Sequence, residues 1–321
     1  QEFKDLLALY EDEEWINCPT NTVMNEKRDR MYAGDLLKWR AFTKALYCRF
    51  LVRKLPNWDN TPETCQQIIK AVDDVLTDGN WAEPLYKFSG GVAEQNCPWG
   101  PSMPKMNLGW AQARENLLNS ALPSTFLGSI MGFYPKATKT ANSVKGEDGK
   151  ALKSGTIFAL DPRAANIMAP RGNNPMLHLE SNIGMDINNV ITDFPDLLTK
   201  EKLTNPYTQN TGYIALITRE ELMFIKAEAL YWAGDTKGAY EMTKAATKYN
   251  MKRYGLDGDQ IELAYIAHNK KASERTEEEK ALVKVIGKNL ANQYDRYMKF
   301  KLPGESKFTI ADVMQQKYVA M

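Results

Sequence analysis

Pairs of consecutive apolar stripes with helical spacing recur in this sequence, and this pattern most constrains the fold. The first pair predicts a helical hairpin over about residues 35–78. Its first stripe consists of Trp39, Phe42, Leu46 and Phe50. These positions step by three or four, so they share one face of a helix. Pro56 ends that helix, and Thr61 with Pro62 provides the N-cap and first residue of the next, which stops near Gly79.

A second hairpin is predicted over about residues 218–249. Thr218 followed by Glu221 matches a capping box at the start of its first helix, and Gly234 breaks the chain before its second. The buried stripe of the first helix consists of Leu222, Ile225, Ala229 and Trp232. Small residues fall where the roughly 34-residue tetratricopeptide repeat has them, so this hairpin resembles that repeat. They are Ala227, Gly234, Ala239 and Ala246.

The remaining sequence divides into long irregular regions and C-terminal helices. Gly, Pro, Asn and Ser are dense over residues 81–110 and 134–213, which predicts a loop-rich ligand region over about residues 79–213. Loops of this length usually have a function, because structureless insertions beyond about 15 residues are otherwise uncommon. A capping box at Thr276 opens one predicted helix, which reaches Met298, and Thr309 opens the next, so helices are expected over residues 276–321.

The predicted class is therefore mainly α, with tetratricopeptide-like helical hairpins and long irregular loops. The 321 residues and 43% hydrophobic content allow a large core. One large domain or two closely packed halves would suit this length, and we expect a single domain over residues 1–321. The chain begins without Met and ends within a predicted helix, so we also expect it to be a piece of a longer protein.

Charge and composition exclude several functions. Lys and Arg number 41 against 40 Asp and Glu, without a long block of one sign, so no nucleic-acid partner is expected. No run approaches the roughly 18 apolar residues of a membrane span. Four cysteines without a CxxC pair and two histidines provide no zinc or redox motif, so neither a metal nor a cofactor is expected. The cysteines are interpreted as buried free thiols, with one or two disulfides as the alternative.

The sequence contains no recognisable catalytic constellation, so the chain is not expected to be an enzyme. His178 and His268 lack a carboxylate or nucleophile at a motif spacing, and no GxSxG sequence occurs. An all-α glycoside hydrolase is an alternative, since the carboxyl separation that it requires cannot be read from a sequence. Glu228 is interpreted as part of a structural ion pair or of a helix-end contact, and Arg163 as a turn anchor.

A protein that binds a sugar without catalysing a reaction requires aromatic faces that stack on pyranose rings. Amide and charged groups around them hydrogen-bond the hydroxyls. Residues 81–110 have this composition, and so does the short connection within the first hairpin. The predicted ligand-binding residues are Trp99, Trp81, Tyr86, Trp110, Asn96 and Trp58. The alternative is that such aromatics fill small cores beneath their loops. By contrast, Trp39 and Trp232 lie on helical stripes and are predicted to be core residues.

Four segments, in this order, resemble the SusD/RagB family. They are MYAGD (31–35) with the Arg-containing helix after it, DPR (161–163), TREELMFIKAEA (218–229) and IADVMQQKYVA (310–320). Together they extend over nearly the whole chain. In the last segment Tyr318 replaces the family's usual Trp. The run Tyr47-Cys48-Arg49 differs from the small or apolar residues that the family tends to place around its arginine.

The resemblance implies a SusD-like α-α superhelix in a nutrient-binding lipoprotein on the outer-membrane surface of a Bacteroidetes-type bacterium. It implies capture of oligosaccharides or polysaccharides and their delivery to a SusC-like, TonB-dependent outer-membrane transporter. Membrane attachment would come only through an N-terminal lipid anchor outside this chain. A peptide-capturing member of the same family and a tetratricopeptide-type adaptor for a protein partner are the alternatives.

Overall fold

The computed structural model describes residues 2–18, 28–55, 60–92, 95–97, 130–131, 159–164, 206–207 and 209–321. The helices of this part of the chain are α1 Glu2–Leu9, α2 Glu13–Ile16, α3 Leu36–Val52, α4 Pro62–Leu76, α5 Arg219–Trp232, α6 Thr236–Arg253, α7 Gly258–His268, α8 Glu277–Val285, α9 Lys288–Lys301 and α10 Ile310–Ala320. Short 3-10 turns lie at Ala272–Glu274 and Glu305–Lys307, and two strands are β1 Leu85–Lys87 and β2 Tyr213–Ala215. The predicted mainly α class is confirmed.

The chain divides into two compact units. The first comprises residues 1–89, 211–247 and 307–321, and the second comprises residues 90–210 and 248–306. Each unit therefore combines segments that are far apart in the sequence. Most of the predicted loop-rich region lies outside the described residues.

In the first unit, α3 and α4 form the predicted N-terminal hairpin. The Asp35 side chain caps α3 by accepting hydrogen bonds from backbone N–H groups of its first turn. Thr61 caps α4 by accepting the N–H of Thr64, and Pro62 occupies the first helical turn, as predicted. Both helices end slightly earlier than the sequence indicates, but the hairpin itself is confirmed.

The second predicted hairpin consists of α5 and α6. The Thr218 hydroxyl accepts the N–H of Glu221, so one half of the predicted capping box forms. The turn between the helices contains Gly234, whose φ of 86° lies in the left-handed region that side chains disfavour. This glycine therefore allows the turn that ends α5 and precedes α6.

The core of the first unit lies among α3, α4 and α5. These helices contribute interlocking apolar side chains, which are joined by residues from the flanking turns. Its fully or nearly buried members include Phe42, Ala45, Leu51, Leu55, Ile68, Val72, Val75, Ile217, Leu222 and Ile225. Trp39 and Trp232 are partly buried against this cluster, which confirms their predicted place in the core.

An ion pair between Arg49 on α3 and Glu221 on α5 joins the two hairpins. Arg49 Nε lies 2.6 Å from Glu221 Oε1, and Arg49 Nη2 lies 2.7 Å from Oε2. The same Nη2 donates to the carbonyl of Leu216 at 2.5 Å. The Glu221 side chain is only 6% exposed and that of Arg49 29%. A planar guanidinium can satisfy both carboxylate oxygens at once, so Arg49 compensates a buried charge.

Asp29 organises the turn before α3. Its buried carboxylate accepts the N–H groups of Met31, Tyr32 and Gly34, and also the indole N–H of Trp39 at 2.7 Å. Burial alone would raise the pKa of Asp29, but these hydrogen bonds lower it below its ordinary value. The MYAGD segment therefore wraps around a carboxylate that precedes it in the chain.

Helix α10 packs against α5 in the first unit. Lys317 Nζ lies 3.0 Å from Glu228 Oε2, and the two side chains are 15% and 7% exposed. The interpretation of Glu228 as a structural ion-pair residue is confirmed. The segments TREELMFIKAEA and IADVMQQKYVA thus meet in space.

The second unit contains α7, α8 and α9, where the sequence prediction was partly wrong. The capping box of Thr276 and Glu279 is confirmed, but the single helix predicted after it is two helices. Ile286 is extended and Gly287 caps the second helix. His268 Nε2 lies 2.8 Å from the carbonyl oxygen of Ile286. This hydrogen bond from α7 satisfies a carbonyl at the break, a contact that local periodicity cannot reveal.

All four cysteines are free thiols. Cys48, Cys65 and Cys97 are buried, while Cys18 is half-buried, so the free-thiol interpretation is confirmed. Burial raises the pKa of Cys48 to about 12. In the described part of the chain, no helix is long and apolar enough to cross a membrane.

We expect Arg49→Ala to lower the free energy of unfolding by about 3 kcal/mol, because it leaves the Glu221 carboxylate buried without its partner. The matched control is Lys70→Ala. Lys70 pairs with Asp74 on the surface, where the side chains are 79% and 55% exposed, so its loss should cost at most about 0.5 kcal/mol. Urea denaturation of both variants measures the difference. Equal losses would show that the Arg49 pair does not stabilise the hairpin contact.

Candidate functional site

Three of the six predicted ligand-binding residues are described. Trp58, Trp99 and Trp110 lie outside the described residues. The described ones are Trp81, Tyr86 and Asn96. Trp81 and Tyr86 belong to the first unit and Asn96 to the second.

Trp81 is half-buried and packs against the hydrophobic core of the first unit. Its backbone N–H donates to the carbonyl of Asp78 at 2.9 Å, in the turn after α4. This is the core-filling arrangement that the sequence left open as an alternative. Ligand contact by Trp81 stays a prediction.

Tyr86 lies on β1, which pairs antiparallel with β2, with Tyr86 opposite Ile214. Arg30 Nη1 donates to the Tyr86 hydroxyl at 2.7 Å. The ring of Phe88 meets that of Tyr86 edge to face, with the centroids 5.3 Å apart. These contacts hold a half-buried aromatic ring in a fixed orientation, and its ligand contact likewise stays a prediction.

Asn96 is buried, and no described residue donates a hydrogen bond to its Oδ1. Leaving a buried acceptor unsatisfied costs about 1–3 kcal/mol. The neighbouring Cys97 N–H donates to the carbonyl of Asn210 at 2.8 Å, which fixes the backbone here. A water molecule or a ligand hydroxyl would satisfy the free oxygen of Asn96.

The second unit has a concave surface with the composition that sugar binding requires, and the sequence prediction missed it. This surface, here called the α9 pocket, has a volume of about 470 Å³. It is lined by Tyr265, Asn292, Asp295, Arg296, Lys299 and Phe300. All but Tyr265 belong to α9, and Tyr265 comes from α7, which packs against α9.

Helix α9 presents this pocket because it is amphipathic. Residues at helical spacing on one side are buried, namely Ala291, Tyr294, Tyr297 and Met298. The polar residues of the pocket recur with the same spacing on another side of the helix. One helix thus provides both a core face and a polar surface.

A buried arginine anchors α9 from within the second unit. Arg163 and Asp161 are both 0% exposed, and Arg163 Nη2 lies 2.7 Å from Asp161 Oδ2. Arg163 also donates to the side chains of Asn250, at 2.7 Å, and Tyr297 of α9, at 3.1 Å. Burial alone would lower the pKa of Arg163, but the adjacent Asp161 carboxylate raises it above its ordinary value. The predicted role of Arg163 as a turn anchor is confirmed.

Two charges of the α9 pocket neutralise each other. Lys299 Nζ lies 2.9 Å from Asp295 Oδ2, one helical turn away, and 5.3 Å from the centre of the Tyr265 ring. The hydrogen bond to Asp295 raises the pKa of Lys299 above its ordinary value. The Lys299 side chain is nevertheless 67% exposed, so this pair faces solvent. It helps to orient the Tyr265 ring at the wall of the pocket.

Local sequence contained only a weak signal for this pocket. The i,i+4 spacing of Asn292 with Arg296 and of Asp295 with Lys299 places four polar groups on one helical surface. The contribution of Tyr265 depends on the packing of α7 against α9, which is a tertiary contact. Among the described residues, no group of three or more His, Cys, Asp and Glu side chains is placed to hold a metal ion.

We expect Arg163→Lys to lower the free energy of unfolding by about 2–3 kcal/mol. A lysine keeps the charge beside Asp161 but cannot also reach Asn250 and Tyr297 in the fork geometry of arginine. Arg296→Lys is the control, because Arg296 is exposed and its replacement should change stability by less than about 0.5 kcal/mol. Chemical denaturation of the two variants provides the comparison. Similar stability in both would contradict the anchoring role.

No protein-family model and no curated protein matches this chain. Among solved structures, the chain is similar to a SusD homolog from Parabacteroides distasonis, with 16% sequence identity and a TM-score of 0.48. The match covers 99% of this chain and 57% of that chain, so this chain spans a little over half the length of that SusD homolog.

Proposed function

We propose that this chain is a SusD/RagB-like nutrient-capture protein that binds oligosaccharides or polysaccharides at the bacterial cell surface without transforming them. The ordered sequence segments support the family. The observation that carries glycan binding is the α9 pocket, which combines aromatic rings, an amide and charged groups in one concavity. The parent protein would reach the outer membrane through a lipid anchor and deliver its ligand to a SusC-like, TonB-dependent transporter.

The chemistry of the α9 pocket suits a carbohydrate. Tyr265 and Phe300 provide apolar ring faces, onto which the C–H faces of a pyranose can stack. Asn292 is exposed and offers both a donor and an acceptor to hydroxyl groups. A volume of about 470 Å³ is within the usual range for small-ligand sites.

The charges in the pocket favour binding over hydrolysis. A glycosidase requires two carboxyl groups across the scissile bond, at about 5 Å or about 6.5–9.5 Å from each other. Among the described residues that line the pocket, Asp295 supplies the one carboxylate, and it is engaged by Lys299. We therefore propose a binding protein. Ligand contact by Trp58, Trp81, Tyr86, Asn96, Trp99 and Trp110 is proposed independently of the α9 pocket.

We expect Tyr265→Ala and Phe300→Ala each to weaken binding of the preferred glycan about tenfold, equivalent to ~1.4 kcal/mol. Each substitution removes one stacking face from the α9 pocket. Tyr318→Ala is the control, because this tyrosine is 50% exposed on α10, outside the pocket. Affinity electrophoresis against a polysaccharide panel identifies the glycan, and isothermal titration calorimetry measures the affinities.

Each outcome of this experiment has a distinct meaning. Unchanged affinity in both pocket variants would remove the α9 pocket as the glycan site. Absence of binding to every glycan, together with binding to oligopeptides, would favour the peptide-capturing branch of the family. Capture of neither ligand class would favour an adaptor that binds a folded protein partner.

The delivery step predicts a stable partner in the membrane. We expect the parent protein, purified from its native outer membrane in mild detergent, to retain a TonB-dependent transporter through affinity chromatography. Mass spectrometry of the eluted complex identifies the partner, and an unrelated outer-membrane lipoprotein with the same affinity tag is the control. Recovery of the protein without a transporter would contradict the proposed delivery role.

A further inference from the structure

Helix α9 concentrates positive charge on a chain that is nearly neutral. The whole sequence has 41 basic and 40 acidic residues. The basic residues of α9 are Lys288, Arg296, Lys299 and Lys301, whereas its acidic residue is Asp295. The charged residues that line the α9 pocket are two cations, Arg296 and Lys299, and one anion, Asp295.

Among the described residues that line the pocket, Arg296 is a charged group without a counterion in the described part of the chain. Lys299 and Asp295 form an ion pair, so they contribute little net charge. Arg296 is exposed and makes no ion pair or hydrogen bond with any residue of the described chain. Asn292, one helical turn earlier on the same surface, likewise has no side-chain hydrogen bond within that part of the chain. Two adjacent polar groups are thus available to a ligand.

We propose that the α9 pocket selects an anionic glycan, whose carboxylate or sulfate group is bound by Arg296. This inference rests on the proposed glycan-binding function and specifies its ligand class. The planar guanidinium presents parallel N–H donors that match two oxygens of a carboxylate or a sulfate ester. Asn292 binds a neighbouring hydroxyl, and Tyr265 and Phe300 stack on the sugar ring.

A neutral sugar would leave the charge of Arg296 without an ionic partner in the pocket. A neutral ligand would partly desolvate Arg296 and return hydrogen bonds to hydroxyl groups, without the bidentate ion pair that a carboxylate or a sulfate forms with the guanidinium. Asp295 does not counteract an anion at Arg296, because Lys299 already compensates its charge. The pocket therefore discriminates between anionic and neutral sugars of the same shape.

Isothermal titration calorimetry with matched glycans tests this selectivity. The probes are an oligogalacturonide, the same oligosaccharide after reduction of its carboxyl groups to alcohols, and a carrageenan oligosaccharide, which carries sulfate esters but no carboxylate. We expect at least one anionic probe to bind ten times or more tightly than the reduced oligosaccharide. Its affinity should also fall as the salt concentration rises. The two anionic probes distinguish a carboxylate from a sulfate ligand.

Substitutions of Arg296 test whether this residue produces the selectivity for anionic glycans. Arg296→Gln should weaken binding of the anionic probe about tenfold or more and leave the reduced oligosaccharide unaffected. Arg296→Lys should restore part of the affinity, because it returns the charge without the planar fork. Lys284→Gln removes an exposed cation from α8, outside the pocket lining, and should change nothing.

The results separate this inference from the proposed function. Equal binding of the anionic and reduced oligosaccharides would overturn the anionic selectivity, while glycan capture would stand. The same conclusion would follow if Arg296→Gln and Lys284→Gln weakened anionic binding equally, since general charge attraction would then suffice. Absence of binding to every glycan would overturn the proposed function itself.

Discussion

A buried carboxylate paired with the guanidinium of an arginine is the interaction on which both units depend. In the first unit, Glu221 lies almost fully buried between the hairpins, and Arg49 provides its partner from a helix far away in the sequence. In the second unit, the fully buried Asp161 and Arg163 attach a short turn to α9. Correct packing brings Arg49 to Glu221, and it brings the local Asp161–Arg163 pair to Tyr297, so these contacts favour one arrangement of the helices over its alternatives.

The same anchoring connects the fold to the proposed site. Tyr297 receives a hydrogen bond from Arg163 on the inner side of α9, while Arg296 and Lys299 face the pocket on its outer side. The pocket therefore lies on a helix that buried contacts hold in place, and not on a loop. Such support matters for recognition, because a binding group that moves by about 1 Å loses much of its geometric match.

Sequence reasoning succeeded where structure is local and failed where it depends on distant contacts. Both hairpins and the cap at Thr61 follow from apolar spacing and from residues adjacent in the chain. The break at Gly287 was missed, because the carbonyl of Ile286 is satisfied by His268 on another helix. The α9 pocket was missed for the same reason: its aromatic wall at Tyr265 reaches α9 only through tertiary packing. The loop aromatics were predicted to bind a ligand from their composition. Composition alone does not show which side chains lie close together in the fold.

The buried thiols of this chain have a consequence for its chemistry in an oxidising environment. Thiol–disulfide exchange proceeds through the thiolate, and burial keeps Cys48 protonated at any physiological pH. Because Cys48 is also inaccessible in the folded state, external oxidants and mixed-disulfide partners react with it only when the chain opens. Once the first unit is packed, its core therefore retains this cysteine in the reduced form.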